Sequence, residues 1–366
     1  MNPPFRADHV GSLLRPAELA EARAARAAGT IGAAGLREIE DRCIARAIAR
    51  QAEVGLRSAT DGEYRRSMWH YDFLEHLDGV ESFATPHGIK FHGGIETAAR
   101  GLRVAGRIGF SGHPMVAHFK FVRDHARAVA KQTIPSPSVL HFRGGRKAVS
   151  TEVYPDMAEF FRDLGEAYRD AVTAFADAGC TYLQLDETNL AYLCDPDQRD
   201  NLKARGDDPD ALPGIYADMI NRALSGRGAD MRITMHLCRG NFRSSWISKG
   251  GYEPVAEVLF NDIGVDGYFM EYDSERAGDF APLRLVPKGK TVVLGLVTSK
   301  SGELEDRAAL LRRIDDAARH LPLDQLALSP QCGFASTEEG NLLTEDQQWA
   351  KLALVVDVAR EVWGDA

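Results

Sequence analysis

"RITMHLCRGNF" (residues 232–242) passes from an apolar run to a polar loop within two residues. The run has the length and composition of a buried strand. On a strand, residues two apart point to the same face, so His236 and Cys238 aim at one spot. That spot is either packed core or a metal.

Similar pieces recur on both sides of this stretch. Short apolar segments that end in polar residues or glycine occur as "RADHVGS" near residue 9, "LRSATDGE" near 60, "TIPSPSVL" near 136 and "YLQLDET" near 185. After the opening stretch come "GYFMEYD" near 270, "TVVLGLVTSK" near 295 and "LALSPQCGF" near 330. Amphipathic segments separate most of them, "DMAEFFRDLGEAYRDAVTAFADAG" and "EDRAALLRRIDDAARHL" being the clearest. Near the N-terminus an Ala-, Arg- and Glu-rich stretch reads as two helices broken at residues 29–35. "TEDQQWAKLALVVDVAREVW" closes the chain, with Thr344 as its expected N-cap. Eight strands alternating with helices predict an α/β fold: a single (β/α)8 TIM barrel, one catalytic domain over residues 1–366. "KFHGGIETAARGLRVAGRIGF" breaks the alternation. It reads as a β-hairpin inserted between the second and third units, at about residues 83–115. No G-x-G-x-x-G follows the first strand, which argues against an open dinucleotide-binding sheet.

Composition narrows the function classes. The 366 residues are 44% hydrophobic and 27% charged, with a formal net charge of -9 and no strong basic block. Nucleic-acid binding therefore has little electrostatic support. No apolar run reaches the length of a membrane span, and "MNPPFRADHV" does not have the form of a secretory signal. Cys43, Cys180, Cys194, Cys238 and Cys332 are an odd, scattered set, which suits a reducing cytoplasm better than a disulfide framework.

In a barrel of this kind, chemistry collects at the C-terminal ends of the strands. Those ends supply Gly11 and Ser12, then Asp61 and Glu63, Asp186 and Glu187, His236 and Cys238, Glu271, Lys300, and Cys332. One imidazole, two thiols and a carboxylate are good ligands for Zn²⁺. Taken alone, His236 reads as a satisfied rim histidine and Cys332 as a small buried thiol; together on separate strands they read as a metal site. Glu271 is either a fourth ligand or a partner that orients His236. The remaining three cysteines read as structural. Two thiolates and a carboxylate make an electron-rich zinc, poor at activating water but able to hold an incoming thiol deprotonated. The chemistry expected is alkylation of a thiol. Trp69 and Tyr71 offer an aromatic wall for a flat donor, or simply pack; His9 lines the pocket or packs.

At this point the residues resemble a known family. "HLCRGNF", "FMEYDSERAGDFAPL", "VVLGLVTSKSGELED" and "SPQCGFASTEEGNLLTEDQQWAKL", with "RADHVGSLLRP" and "TDGEYRRSMW", are similar to the cobalamin-independent methionine synthases. They are most like the short, single-barrel members of that family. The resemblance implies zinc-dependent methyl transfer to homocysteine, or another small thiol, from methyltetrahydrofolate or a methylcorrinoid. Carried over by motif, the metal ligands are His236, Cys238, Glu271 and Cys332. Gly11 and Ser12 would hold the amino-acid carboxylate, and Glu63 and Asp186 its ammonium. Full-length members carry a histidine after the seventh strand; Lys300 stands there in this sequence. Lys300 and Asp186 are thus the expected catalytic side chains, Lys300 as an acid toward the donor or as a contact for its anionic group. An epoxyalkane–coenzyme M transferase layout is the alternative, kept open by Arg65, Arg66 and Arg239, which suit a sulfonate. A non-catalytic thiol-binding paralogue is the third reading. Self-association is left open.

Overall fold

A computed structural model describes residues 3–366; Met1 and Asn2, at the start of the expected 1–366 domain and of the stretch read as no secretory signal, lie outside it. In chain order the strands are β1 (Ser58–Ala59), β2 (Asp78–Ala84), β3 (Arg100–Gly109), β4 (Val129–Pro135), β5 (Tyr182–Glu187), β6 (Arg232–Leu237), β7 (Gly267–Glu271), β8 (Thr291–Val297) and β9 (Leu326–Pro330). Seven of them form one parallel sheet in the order β1-β4-β5-β6-β7-β8-β9, and β2 pairs with β3 antiparallel. Strands β5 to β9 are buried almost throughout, as expected of parallel strands covered on both faces.

The first expected strand, "RADHVGS", contributes only a single parallel bridge, Ala7 to Leu328 of β9. Its backbone groups are met differently. Lys131 Nζ donates to the His9 carbonyl at 2.6 Å, Gln184 Nε2 to that of Val10 at 2.7 Å, and Thr60 Oγ1 to that of Gly11 at 2.6 Å. Side chains of β4, β5 and the turn after β1 therefore do what a ladder would otherwise do. Asp8 completes the tie: it accepts from Ser58 Oγ (2.9 Å), Tyr182 OH (2.7 Å) and the backbone N–H groups of Phe5 (3.2 Å) and His9 (2.8 Å). The segment is bonded to β9 on one side and tied to β1 on the other, so the parallel sheet curls round to meet it. Inside that curl lie Val10, Phe269, Val293 and Ala327, with the Lys131 ammonium over the Phe269 ring at 4.1 Å.

The outer helices follow the periodicity. Met157–Asp177 buries Phe160, Leu164, Ala167, Tyr168, Ala171, Val172 and Phe175 on one stripe, and its N-cap Asp156 accepts from Ala158 N at 2.9 Å. Thr344 caps Glu345–Trp363 in a full capping box with Gln347. The two N-terminal helices are Ala17–Ala27 and Ala33–Glu53, so the break ends at Gly32 and Gly35 lies within the second helix.

The hairpin differs from the expected 83–115. It begins at Asp78, and after Gly109 the chain enters the helix Pro114–His125, capped by His113 Nδ1 accepting from Met115 N at 3.0 Å. The sequence hides its first strand because Val80 is the sole fully buried residue of β2. A strand with no covered face shows no alternation.

Candidate metal centre

Four parts of the chain converge at the C-terminal edge of the sheet. His236 is the penultimate residue of β6, and Cys238 follows that strand, its N–H donating to the Glu187 carbonyl at 2.9 Å. Glu271 ends β7, and Cys332 lies just past β9. One donor atom from each of His236, Cys238, Glu271 and Cys332 falls within 4.8 Å of every other, and all four residues are buried. Glu271 is fixed from three directions. Its Oε1 accepts from Arg239 N at 2.9 Å, its own N–H donates to Tyr252 OH at 3.0 Å, and that hydroxyl donates to its carbonyl at 3.2 Å. Arg239 lies over the Tyr252 ring at 4.3 Å and braces it.

The donor set fits a zinc ion on two observations. First, the Cys238 and Cys332 sulfurs are 3.6 Å apart. Two thiolates on one tetrahedral zinc, each bonded at about 2.3 Å, stand roughly 3.8 Å apart. A thiol-to-thiol hydrogen bond would give the same spacing, so the second observation decides. Both ring nitrogens of His236 and Oε2 of Glu271 are buried with no hydrogen-bond partner among the described residues. The nearest cation to that oxygen, Arg276 Nη2, is 3.5 Å away. Buried imidazole and carboxylate groups left without partners are costly, and a shared cation satisfies Oε2 and one of the two imidazole nitrogens at once. The paired sulfurs divide accordingly: their mutual contact holds the Cys332 thiol well below the usual range and, with burial, pushes Cys238 well above it.

A cavity of about 40 Å³ opens onto the cluster, room for roughly three waters. Ser12, Glu63, Trp69, Asp186, His236, Cys238 and Cys332 line it; Gly11, Glu271 and Lys300 do not. Gly11 nevertheless shapes the wall, because at its φ of +142° a β-carbon would sit 2.7 Å from Thr133 Cγ2. Glu63 takes a left-handed backbone, φ 61°, that aims its carboxylate inward. Glu63 Oε1 accepts from Thr133 Oγ1 at 3.0 Å, and Oε2 is buried without a partner. Asp186 Oδ1 accepts from Gln184 Nε2 at 2.7 Å. Burial, then the Glu63 charge, raises the Asp186 carboxyl to about 7, and burial raises Glu63 as well. Two buried carboxyls facing one small space repel; Arg66 Nη1, 3.5 Å from Glu63 Oε1, offsets part of the Glu63 charge, and a cation between the two carboxyls would relieve both.

Lys300 Nζ is buried with no hydrogen bond, and its charge acts on Glu271, Cys238 and Cys332. It does not line the cavity. Trp69 lines the cavity, whereas Tyr71 faces a larger neighbouring cleft. His9 lines neither; it is buried, and burial followed by the Lys131 charge lowers its imidazole to about 4. Arg65 is spent on Glu40 (3.0 Å) and Asp41 (2.5 Å), and Arg66 on the Thr133 carbonyl (2.6 Å). None of the three arginines that suit a sulfonate lines the cavity. Cys43, Cys180 and Cys194 are buried and free, outside the cluster.

Sequence reasoning missed several residues of the cavity. Phe91 reaches it from the hairpin connection, whose neighbour His92 stacks on Trp246 at 4.4 Å. Asn241 Nδ2 donates to the Gly333 carbonyl at 2.8 Å and so ties the two cysteine loops together. Asn241 was visible in "HLCRGNF" as a polar residue beyond a strand end; Phe91 carried no signal.

With this geometry in place, comparison with known proteins is informative. The profile of the cobalamin-independent synthase catalytic domain matches residues 5–361. The chain is 53% identical over 362 residues to the uncharacterized protein YxjH of Bacillus subtilis (strain 168), covering 98% of this chain and 95% of that one. It is 23% identical over 184 residues to the 5-methyltetrahydropteroyltriglutamate–homocysteine methyltransferase of Bacillus velezensis, which spans 50% of this chain and 21% of the relative. The crystal structure of a candidate vitamin-B12-independent methionine synthase from Listeria monocytogenes superposes with a TM-score of 0.80 at 42% identity, over 100% of both chains. The chain therefore belongs to the family of the cobalamin-independent synthase catalytic domain.

Proposed function

We propose that the chain is a single (β/α)8 domain that transfers a methyl group to the sulfur of homocysteine, giving methionine, with one zinc held by His236, Cys238, Glu271 and Cys332. The observation that carries this reading is the convergence of those four donors within 4.8 Å, with the imidazole and one carboxylate oxygen otherwise unpartnered. Zinc bound there would keep the substrate thiol deprotonated at neutral pH.

The chain's own residues would do the rest. The Glu63 and Asp186 carboxylates, both lining the cavity, would take the substrate ammonium. Ser12 Oγ and the backbone beside Gly11 would hold its carboxylate, and Trp69 would wall the pocket. The new S–CH₃ bond forms as the donor's bond to that methyl breaks, and the departing donor atom takes up a proton. Solvent at the cavity mouth would supply that proton, while Lys300, which does not line the cavity, would offset the negative charge of the cluster. Methyltetrahydrofolate, the donor type in the Bacillus velezensis relative's name, is the first donor to try, with a methylcorrinoid second. Five free cysteines suit a cytoplasmic protein. The coenzyme M reading loses support because Arg65, Arg66 and Arg239 do not line the cavity. The silent-paralogue reading loses support because all four donors are in place.

The test is methionine formation from homocysteine by the zinc-loaded protein, with methyltetrahydrofolate, methylcobalamin and an epoxide plus coenzyme M assayed in parallel. Cys238→Ser and Cys332→Ser should each lose bound zinc and transfer together. Full transfer by a metal-free Cys332→Ser protein would end the zinc mechanism.

A further inference from the structure

The small cavity is too tight for the substrate proposed above. The thiol, ammonium and carboxylate of an amino acid would all be held by residues lining a space with room for roughly three waters. Part of the wall must therefore move. Asp186, His236, Cys238 and Cys332 lie at or just past the ends of buried strands and are fixed by the sheet. Phe91 is not. It comes from residues 85–99, which join β2 to β3.

This connection is bonded as a unit. Phe91 N donates to the Ile95 carbonyl at 2.8 Å, Thr97 N donates to the Ile89 carbonyl at 3.1 Å, and Lys90 pairs with Glu96 at 3.7 Å. Its ties to the rest of the chain are few. Of residues 85–99 only Thr97 is buried, and none belongs to the hydrophobic core. Among the described residues, the hydrogen bonds that join it to the chain beyond its own hairpin are both at His92. His92 N donates to the Trp246 carbonyl at 2.7 Å, and Ser245 Oγ donates to the His92 carbonyl at 2.6 Å. Two ring contacts accompany them: His92 stacks on Trp246 at 4.4 Å, and Phe91 meets Phe242 at 5.3 Å. Every one of these partners lies on the loop that follows Cys238. A segment with so little burial and so few bonds opens at low free-energy cost. Ile89 and Lys90 of the same connection line an open cleft of about 600 Å³, and Arg143 and Tyr192 line both spaces, so withdrawal of Phe91 would open the cavity onto that cleft.

We infer that residues 85–99 are a lid, latched at His92 onto Ser245 and Trp246, and that Phe91 must withdraw before a thiol amino acid can reach the metal cluster. The need for opening rests on the proposed transfer; the latch and its control of access to Cys238 and Cys332 do not. Trp246 also links the lid to the surroundings of the cluster, since Arg276 lies over its ring at 5.0 Å and places Nη2 3.5 Å from Glu271. A closed lid would exclude water from the bound thiolate.

The experiment uses the full chain, zinc-loaded and after zinc removal. In the metal-free chain, alkylation by iodoacetamide is followed at each cysteine by mass spectrometry. Cys238 and Cys332 report opening of the lid, whereas Cys43, Cys180 and Cys194, buried elsewhere, report general loosening. Ser245→Ala with Trp246→Ala removes one hydrogen bond and the ring stack; Phe91→Ala removes the wall and keeps both bonds of His92. Each variant should speed alkylation at Cys238 and Cys332 about tenfold and leave the other three cysteines as they were. The zinc-loaded variants should give up zinc to EDTA about tenfold faster, with zinc affinity within threefold of the parent. Unchanged alkylation at both sites, or an equal rise at all five cysteines, would overturn the lid. Faster zinc loss matched by an equal loss of affinity would do the same. If access is gated as expected but no donor yields methionine, the transfer reading fails and the lid stands; methionine formed by a protein indifferent to the latch would leave the transfer and remove the lid.

Discussion

Glu271→Gln separates a metal ligand from a merely structural carboxylate. Glutamine keeps the shape and can still accept the 2.9 Å hydrogen bond from Arg239 N through its carbonyl. What it removes is the negative charge and the free Oε2 that faces the cluster. The two forms of the protein should then respond with opposite signs. Without metal, a buried carboxylate oxygen with no hydrogen bond costs about 1–3 kcal/mol, so its replacement should raise the stability of the metal-free chain by that order. With metal, one of four ligands is weakened. Structural zinc sites are worth on the order of 12 kcal/mol, so an average quarter is about 3 kcal/mol, or roughly a hundredfold in affinity.

Thermal unfolding with and without zinc, together with metal content after dialysis against a competing chelator, reads both effects. A hundredfold weaker Kd removes about 2.7 kcal/mol of the stabilisation that a fixed excess of zinc confers. The Tm of the metal-free variant should rise and the zinc-induced increment should shrink. A zinc affinity within threefold of the parent, with an unchanged increment, would show that Glu271 is not a ligand and that the cluster is a three-donor site.

Two further substitutions probe the clamp and the sheet interior. Asp186→Asn should raise the homocysteine KM ten- to a hundredfold while zinc content stays constant, and an unchanged KM would remove Asp186 from the clamp. Its pH signature follows from the raised carboxyl: between about 4 and about 7 the folded chain holds a proton that the unfolded chain has released, so this group's contribution makes stability fall as pH rises through that window. Asparagine abolishes that slope, and denaturant titrations at pH 5 and pH 7.5 would reveal its persistence. Lys131 Nζ also stands 3.4 Å from Asp8 Oδ1, both side chains buried, so Lys131→Met leaves Asp8 charged and buried; because Tyr182 OH and Ser58 Oγ still bond it, a loss near the lower end of the usual range, about 3 kcal/mol, is expected by urea unfolding. Adding Asp8→Asn should restore part of the loss, and a double variant no better than the single would contradict the pairing.

How far the sequence could be read depended on which force set each element. Strands β5 to β9 are covered on both faces, so their apolar runs stand out, and the candidate donors lie at or just past the ends of β6, β7 and β9. The helix Met157–Asp177 shows its stripe for the same reason. The first segment was legible as strand-like but not as a strand held by side chains, because Lys131, Gln184 and Thr60 reach its carbonyls from far along the chain. The hairpin's start was hidden because β2 buries little. The expected ammonium clamp rested on the family resemblance, because nothing in the sequence announces the left-handed backbone of Glu63, φ 61°. Lys300 lies three residues past β8, but which groups its side chain neighbours is a matter of packing.

The neighbours of Lys300 bear on its role. Two thiolates and a carboxylate bring three negative charges to a +2 ion, and a bound substrate thiolate adds a fourth. The cluster would then carry a formal charge of about -2 in a buried place, a heavy electrostatic load at low dielectric. The Lys300 ammonium lowers that load directly, since its charge acts on Glu271, Cys238 and Cys332. Arg276, 3.5 Å from Glu271, adds a second cation. A proton donor to the departing group would have to face the donor, whereas Lys300 does not line the cavity through which a donor arrives. Lys300 is thus better suited to offsetting the negative charge of the candidate cluster than to protonating a departing group.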